Sequence, residues 1–245
     1  NAIVSMPASL HARLSAMIRA SHKEQLRRDA EHVAQLERRA SHDDGTGLAL
    51  RASQHFVQHL PRQRAVPLYL ATQFPARYAV LVRVLDEVRR RLAAPHGASA
   101  WHPTHVVDYC AHTSEALWAY DHVFGARHLR EYVAEARHST LLKALAELQD
   151  DDAWSHIRTV FRVRGDKSHV HREAPQDDTA PRRLGLHAYG LSAAASDTAR
   201  EREVLRMWKS EADVLVLIEE ATPRGFACLA SARSQLESRI ASPPW

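Results

Sequence analysis

Glycine is scarce in this chain, at 8 of 245 residues. That is low for an enzyme built on glycine-rich loops, where the backbone must approach a phosphate or nucleotide closely. Cysteine is scarcer. Cys110 and Cys228 supply neither a disulfide framework nor a zinc-binding spacing, which suits a reducing compartment. No run of about 18 apolar residues is present, so neither a membrane span nor a membrane partner is expected. A starting methionine is missing too: the chain begins at Asn1, as a processed or trimmed polypeptide does, and any targeting peptide would already be gone.

What is present fits a soluble globular protein, with 45% hydrophobic and 25% charged residues. The length suits one large domain or a domain with a helical extension. The 17 histidines are spread along the whole chain, which argues for compositional drift and against one metal site. His169-Val170-His171 has the spacing of half a site but no clear third ligand, so it reads as solvated loop.

Charge is divided unevenly. Residues 1–105 hold 15 Lys+Arg against 8 Asp+Glu, a balance of +7, while residues 106–245 hold 18 against 21, a balance of −3. A basic half suggests a polyanion as partner. Its arginines arrive in groups on helix-favouring stretches: Arg27 and Arg28, Arg38 and Arg39, then Arg89, Arg90 and Arg91. These are candidate phosphate contacts. The competing reading pairs them with Glu24, Glu31, Glu37 and Glu87 on the same helices.

Periodicity divides the chain into a helical basic region, residues 1–98, and an alternating strand–helix region, residues 99–245. Helices are expected over Pro7–Met17, Lys23–Arg39, Leu48–Leu60, and Val66–Leu92 with a break at Pro75. Strands are expected over His105–Tyr109, His128–Ala136, Trp154–Val163, Leu184–Leu191 and Asp213–Ile218. The helices between and after them are expected from Ser114, over Ser139–Gln149 and Asp197–Lys209, and over Gly225–Ile240; Arg164–Arg183 reads as a long polar loop. The implied architecture is α/β, a parallel sheet preceded by helices.

The stretch His105–Tyr120 opens that sheet. A short buried strand runs directly into a helix, the start of a βαβ unit. In nucleotide-binding sheets this turn carries glycines. Here it is Cys110-Ala111-His112-Thr113-Ser114, with none. A Cys110–His112 nucleophilic pair is disfavoured, because side chains two apart in a tight turn seldom face each other.

Four segments together resemble one family, the methyltransferase-like proteins that associate with the mitochondrial small ribosomal subunit and its assembly intermediates, along with their bacterial relatives. Pro67–Tyr78 (PLYLATQFPARY) is similar to that family's Tyr-Leu-Ala-x-Arg-hydrophobic-Pro-Ala-x-Tyr helix, with Gln73 where arginine is usual. Val106–Ala119 aligns without a gap on its first motif, roughly LLDVGAGPGTALWA, with Cys110, His112 and Ser114 in place of three glycines. Ala188–Ser192 (AYGLS) resembles the segment after its fourth strand, with Ala193 where the family has glutamate. Val214–Phe226 (VLVLIEEATPRGF) looks like LVLVEPGTPRGF, and Met207-Trp208 stands where the family has Leu-Trp.

The resemblance implies a Rossmann-type class I methyltransferase-like fold in residues 99–245. Carried over by position, S-adenosylmethionine would lie on Asp108, Cys110, His112 and Ser114, with Glu135 as the acid for the ribose hydroxyls. Three side chains in place of glycines are expected to fill the space of the methionine and ribose, so no cofactor and no catalytic residue are expected. The family also carries a cysteine cluster thought to hold an iron–sulfur cluster, and then a closing strand pair; this chain reaches Trp245 before either appears. Two cysteines cannot supply the three or four thiolates such a cluster needs. The implied function is a non-catalytic assembly or structural factor in the mitochondrial matrix, bound to small-subunit rRNA among ribosomal proteins and assembly factors. The alternatives are an active S-adenosylmethionine-dependent rRNA methyltransferase, or a protein-interaction module on a retired enzyme fold. Arg224, at the carboxyl end of the last strand, is a further candidate RNA contact, or part of a helix start capped by Thr222 with Pro223 at its first position.

Overall fold

The computed structural model describes residues 3–41, 60–93, 101–136, 144, 146–149, 153–163, 182–210 and 212–241. The helix expected at 48–60, the polar loop at 164–181 and most of the helix at 139–149 lie outside them. Among the described residues four helices come first: α1 (Ala8–Arg19), α2 (Lys23–Ser41), α3 (Arg62–Thr72) and α4 (Phe74–Arg91). The sheet region follows as β1 (His105–Asp108), α5 (Glu115–Phe124), a 3-10 turn (Ala126–His128), β2 (Glu131–Ala136), β3 (Arg158–Val163), β4 (Arg183–Ala188), α6 (Asp197–Trp208), β5 (Val214–Ile218) and α7 (Pro223–Ala241).

All five strands are parallel, in the order β3-β2-β1-β4-β5. The order reverses between β1 and β4, where open α/β sheets place their ligands. Strand residues alternate between two apolar clusters, as a period of two requires. Val106, Val216 and Ile218 join a large core with α1, α3, α4 and α5, whereas Val107, Leu215 and Leu217 face a smaller one containing Val204, Met207 and Cys228. Leu10, Tyr69, Phe74, Tyr78 and Leu81 share the large core with Val106 and Leu184. The large core thus draws on residues of both regions.

Several boundaries differ from the periodicity. The expected helix Val66–Leu92 is two helices, and they meet at Gln73 rather than at Pro75. Pro75 lies in the first turn of α4, where a missing N–H leaves no bond unmade. The strand expected from His128 begins at Glu131, because His128 closes the 3-10 turn. Trp154 is in a turn and not in β3; its indole packs edge-on against Trp118, centroids 4.5 Å apart. α2 packs by a thin face, Val33 with Ala65 and Leu68 of α3. It is fastened there by Arg64, which donates to both oxygens of Asp29 at 3.0 and 2.7 Å. That guanidinium holds the Asp29 carboxyl below its ordinary value.

Candidate functional site at the carboxyl end of the sheet

The turn after β1 packs inward on every side. Asp108 ends the strand, buried, and its carboxylate accepts from Cys110 N at 3.1 Å and from the Tyr132 hydroxyl at 3.2 Å. Burial first, and then the neighbouring Glu115 charge, push its pKa up to about 7. The Cys110 thiol fills the space beside Gly190: a Cβ built there would sit 2.5 Å from Cys110 Sγ and 2.7 Å from His187 Cε1. His112 stacks on the Tyr69 ring of α3, nearly parallel, with centroids 5.6 Å apart. Ser114 is fully buried, and its hydroxyl has no hydrogen-bond partner among the described residues. The three side chains at the glycine positions are thus all turned into packing.

A charged cluster that the sequence reading passed over lies across this turn. Arg77 of α4 is buried, with its guanidinium 4.6 Å from the Tyr189 ring centroid and 5.5 Å from that of Tyr69. Glu115, the first residue of α5, accepts from the Tyr69 hydroxyl at 2.5 Å and from Thr113 N at 3.1 Å. Burial opposes charge on Arg77, but Tyr69, Glu115 and Glu220 hold its pKa above the ordinary value. Burial raises Glu220, and Arg77 pulls it back down. Tyr189 has φ 61, a left-handed backbone that costs a bulky residue about 1 kcal/mol and persists only where surroundings enforce it. The space left among Arg77, Asp108, Cys110, His112, Glu115 and Tyr189 is a cavity of about 10 Å³.

The one signal of Arg77 in the sequence is its spacing. It stands four residues before Leu81, inside the apolar face of α4. An arginine there either snorkels out or finds buried partners. Its partners lie in other segments, so the spacing alone does not choose.

Glu135 is one residue from the end of β2, as expected of the ribose-binding acid. It is engaged by protein: Arg206 of α6 reaches it at 2.8 Å, holds Glu203 at 2.8 Å, and lies 5.0 Å above the Tyr109 ring. After β5, Glu219 accepts from Leu191 N, from Ser192 N at 3.2 Å and from the Ser192 hydroxyl at 2.7 Å. Thr222 caps α7, accepting from Gly225 N at 3.0 Å, with Pro223 at the first position. Gly225 is required: a Cβ would stand 2.1 Å from the Glu220 carbonyl oxygen. Arg224 donates to Ser192 O at 3.1 Å, joining the two loops. Cys228 is buried in α7, with Arg200 donating to its sulfur at 2.8 Å.

The candidate RNA-contact arginines of α2 and α4 do not line this cleft. Arg27, Arg28, Arg38 and Arg39 are exposed along α2, and Arg89, Arg90 and Arg91 are exposed at the end of α4. Arg27 pairs with Glu31 at 3.2 Å, and Arg91 with Glu87 at 2.7 Å. Arg89 pairs with Asp86 at 2.6 Å, and Arg90 reaches both Asp86 and Glu87 at 3.2 Å. His169 and His171 lie outside the described residues. Among the described residues no group of three or more His, Cys, Asp or Glu could hold a metal ion, and no helix is long and apolar enough to cross a membrane.

Comparison with known proteins adds one match and one blank. A search of curated proteins returns no match to the chain. The family model described as mitochondrial small ribosomal subunit Rsm22 matches residues 63–243, from α3 through α7 and so through every element that builds the cleft. The parallel sheet and the family's motif segments agree with that assignment, and the chain belongs to the mitochondrial small ribosomal subunit Rsm22 family.

Proposed function

We infer that this chain serves the mitochondrial small ribosomal subunit, the particle to which its family membership relates it. We propose, more narrowly, that it is an assembly or structural factor of that subunit, acting in the matrix, that binds rRNA and carries no S-adenosylmethionine. The observation that carries the non-catalytic part is Arg77. Its guanidinium lies between Tyr69 and Tyr189, balanced by Glu115 and Glu220. A cleft that already holds its own cation and counter-charges offers a cationic cofactor neither space nor unmet charge.

The dimensions support the same reading. Small-molecule sites occupy about 300–1,000 Å³, against about 10 Å³ here. The residues at the motif positions do not fit the cofactor: Cys110 and His112 are packed against Gly190 and Tyr69, and Glu135 is already held by Arg206. No chemical step is therefore assigned to this chain. Incubation with labelled S-adenosylmethionine and small-subunit rRNA is expected to transfer no methyl group. Transfer above a no-enzyme control overturns this part of the reading.

RNA binding rests on the exposed arginines of α2 and α4. Their ion pairs are solvent-exposed and of the kind worth about 0–1 kcal/mol, so a phosphate can replace a carboxylate at little cost. Each phosphate neutralised releases counterions, which makes such binding salt-dependent and largely insensitive to sequence. Reversing Arg38, Arg39, Arg90 and Arg91 is expected to weaken association with the small subunit and to flatten its salt dependence. An unchanged salt slope in that variant removes these helices from the RNA-facing surface.

A further inference from the structure

The opposite end of the sheet carries a second basic surface that no helix pattern announces. Strand register aligns the first residues of four strands into one row: Arg158 of β3, Glu131 of β2, His105 of β1 and Arg183 of β4. The row just outside it is Arg130, Thr104 and Arg182, tied by backbone bonds from Thr104 N to Arg182 O at 2.8 Å and from Arg130 N to Thr104 O at 2.8 Å. Neighbouring strands lie about 4.8 Å apart, so these side chains form a strip about 14 Å across four strands. Among the described residues, two carboxylates interrupt it. Glu131 pairs with Arg158 at 3.5 Å, and Asp213 accepts from Arg183 N at 2.7 Å.

The strip continues toward α4. His102 stacks on His128, centroids 4.6 Å apart and nearly parallel, and Arg127 donates to His128 at 2.9 Å. The field at His102 reports what surrounds it: after burial, its pKa is lowered by His128, Arg182, Arg127 and Arg89. The guanidiniums of Arg182, Arg127 and Arg89, from three separate segments, therefore act on one imidazole. Arg89 belongs to the arginine triplet of α4, so the last turn of α4 lies near this end of the sheet. Arg127, Arg130 and Arg158 are exposed.

We propose that the amino end of the β-sheet, from Arg127 and Arg130 through Arg158 to Arg182 and Arg183, is a docking surface for the phosphate backbone of RNA. It rests on the rRNA-binding reading above and locates the surface more narrowly. An acidic protein segment is the weaker fit. The strip is flat and fixed by backbone register, and its stacked imidazoles and planar guanidiniums suit phosphate oxygens and ribose edges. The strands lend rigidity, so little side-chain order has to be imposed from a flexible scaffold on binding.

The test uses the full chain, a fluorescein-labelled RNA hairpin as probe, and anisotropy titrations at about 50 to 200 mM salt. Arg127→Gln/Arg130→Gln/Arg158→Gln is compared with Arg38→Glu/Arg39→Glu and with the unaltered protein, after thermal melts establish that each is folded. The strip variant is expected to lose about an order of magnitude in affinity, with a salt slope shallower by about 2–3. If the triple variant does not fold, Arg127→Gln alone is expected to lower the slope by about 1. If the strip variants bind like the unaltered protein while the α2 variant loses affinity, the strip is overturned and the rRNA reading stands. If the unaltered protein does not bind the hairpin at all, both fall. Competition by polyglutamate as strong as by RNA of equal charge also overturns the proposal, in favour of an acidic protein.

Discussion

The two ends of the sheet handle charge in opposite ways. At the carboxyl end the charged groups point inward and are matched: Arg77 faces Glu115 and Glu220, Arg206 spans Glu135 and Glu203, and Glu219 accepts from the Leu191 and Ser192 amides. At the amino end, arginines from separate strands and turns lie at the surface, with Glu131 and Asp213 as the neighbouring acids. A topological switch point is where α/β folds put ligands, but topology supplies only the place. A ligand also needs space and unmet polar groups. The cleft keeps about 10 Å³ and charges matched from within, whereas Arg127, Arg130 and Arg158 of the rim are exposed, so recognition is expected to have moved from one end of the sheet to the other.

The largest effect that breaks this contrast is expected from Arg77→Ala. Removing a buried cation while its carboxylates stay leaves charge uncompensated, at about 3–5 kcal/mol. Urea denaturation measures it, and a loss below about 1 kcal/mol contradicts the view of Arg77 as an internal counter-charge. Arg77→Lys keeps the charge without the planar face that stacks on Tyr69 and Tyr189, and is expected to recover only part of the loss.

Gly225→Ala comes next. Its Cβ must displace the Glu220 carbonyl, and overpacking of this kind costs about 1–3 kcal/mol. Loosening there also frees Glu220 from Arg77, so the variant tests whether the α7 start helps to close the cleft.

Asp108 sharpens the contrast through pH. Its folded pKa, about 7, lies above the ordinary aspartate range because the carboxyl is buried. The folded state therefore holds the proton more tightly than the unfolded chain. That contribution is fully present below about pH 4 and is lost as pH rises through 7, with a slope of up to about 1.4 kcal/mol per pH unit. Stability of the unaltered protein is expected to fall between pH 5 and pH 8 more steeply than that of Asp108→Asn, as followed by denaturation midpoints. Parallel curves contradict the buried, protonated state.

The smallest effect is expected at the exposed helix pairs. Glu31→Gln, which unpairs Arg27, is expected to leave the thermal midpoint unchanged within error, while RNA affinity rises slightly because one competing carboxylate is gone.

Much of the fold was legible because periodicity needs no partner. The run Val214–Ile218, the strand-to-helix change after Asp108, and the glycine-free turn all follow from neighbours in the chain. The cleft was legible only by subtraction. Missing glycines say that something fills the space, and the filler, Arg77, is set by contacts from Tyr69, Glu115, Tyr189 and Glu220, which no short window contains. The amino-end rim was hidden for a related reason. Residues 106–245 sum to −3, yet strand register gathers Arg130, Arg158, Arg182 and Arg183 at one edge. Charge summed along the chain misses charge sorted by a sheet. The break at Gln73, in place of the expected one at Pro75, has a local cause: proline in a first helical turn fits the helix and does not end it.

The central claim is that the carboxyl-end cleft is closed by the chain's own residues, and calorimetric titration of the full chain with S-adenosylmethionine tests it most directly. No saturable heat is expected up to about millimolar ligand, the range in which binding free energies fall to about 4 kcal/mol. A saturable isotherm with micromolar affinity would contradict it.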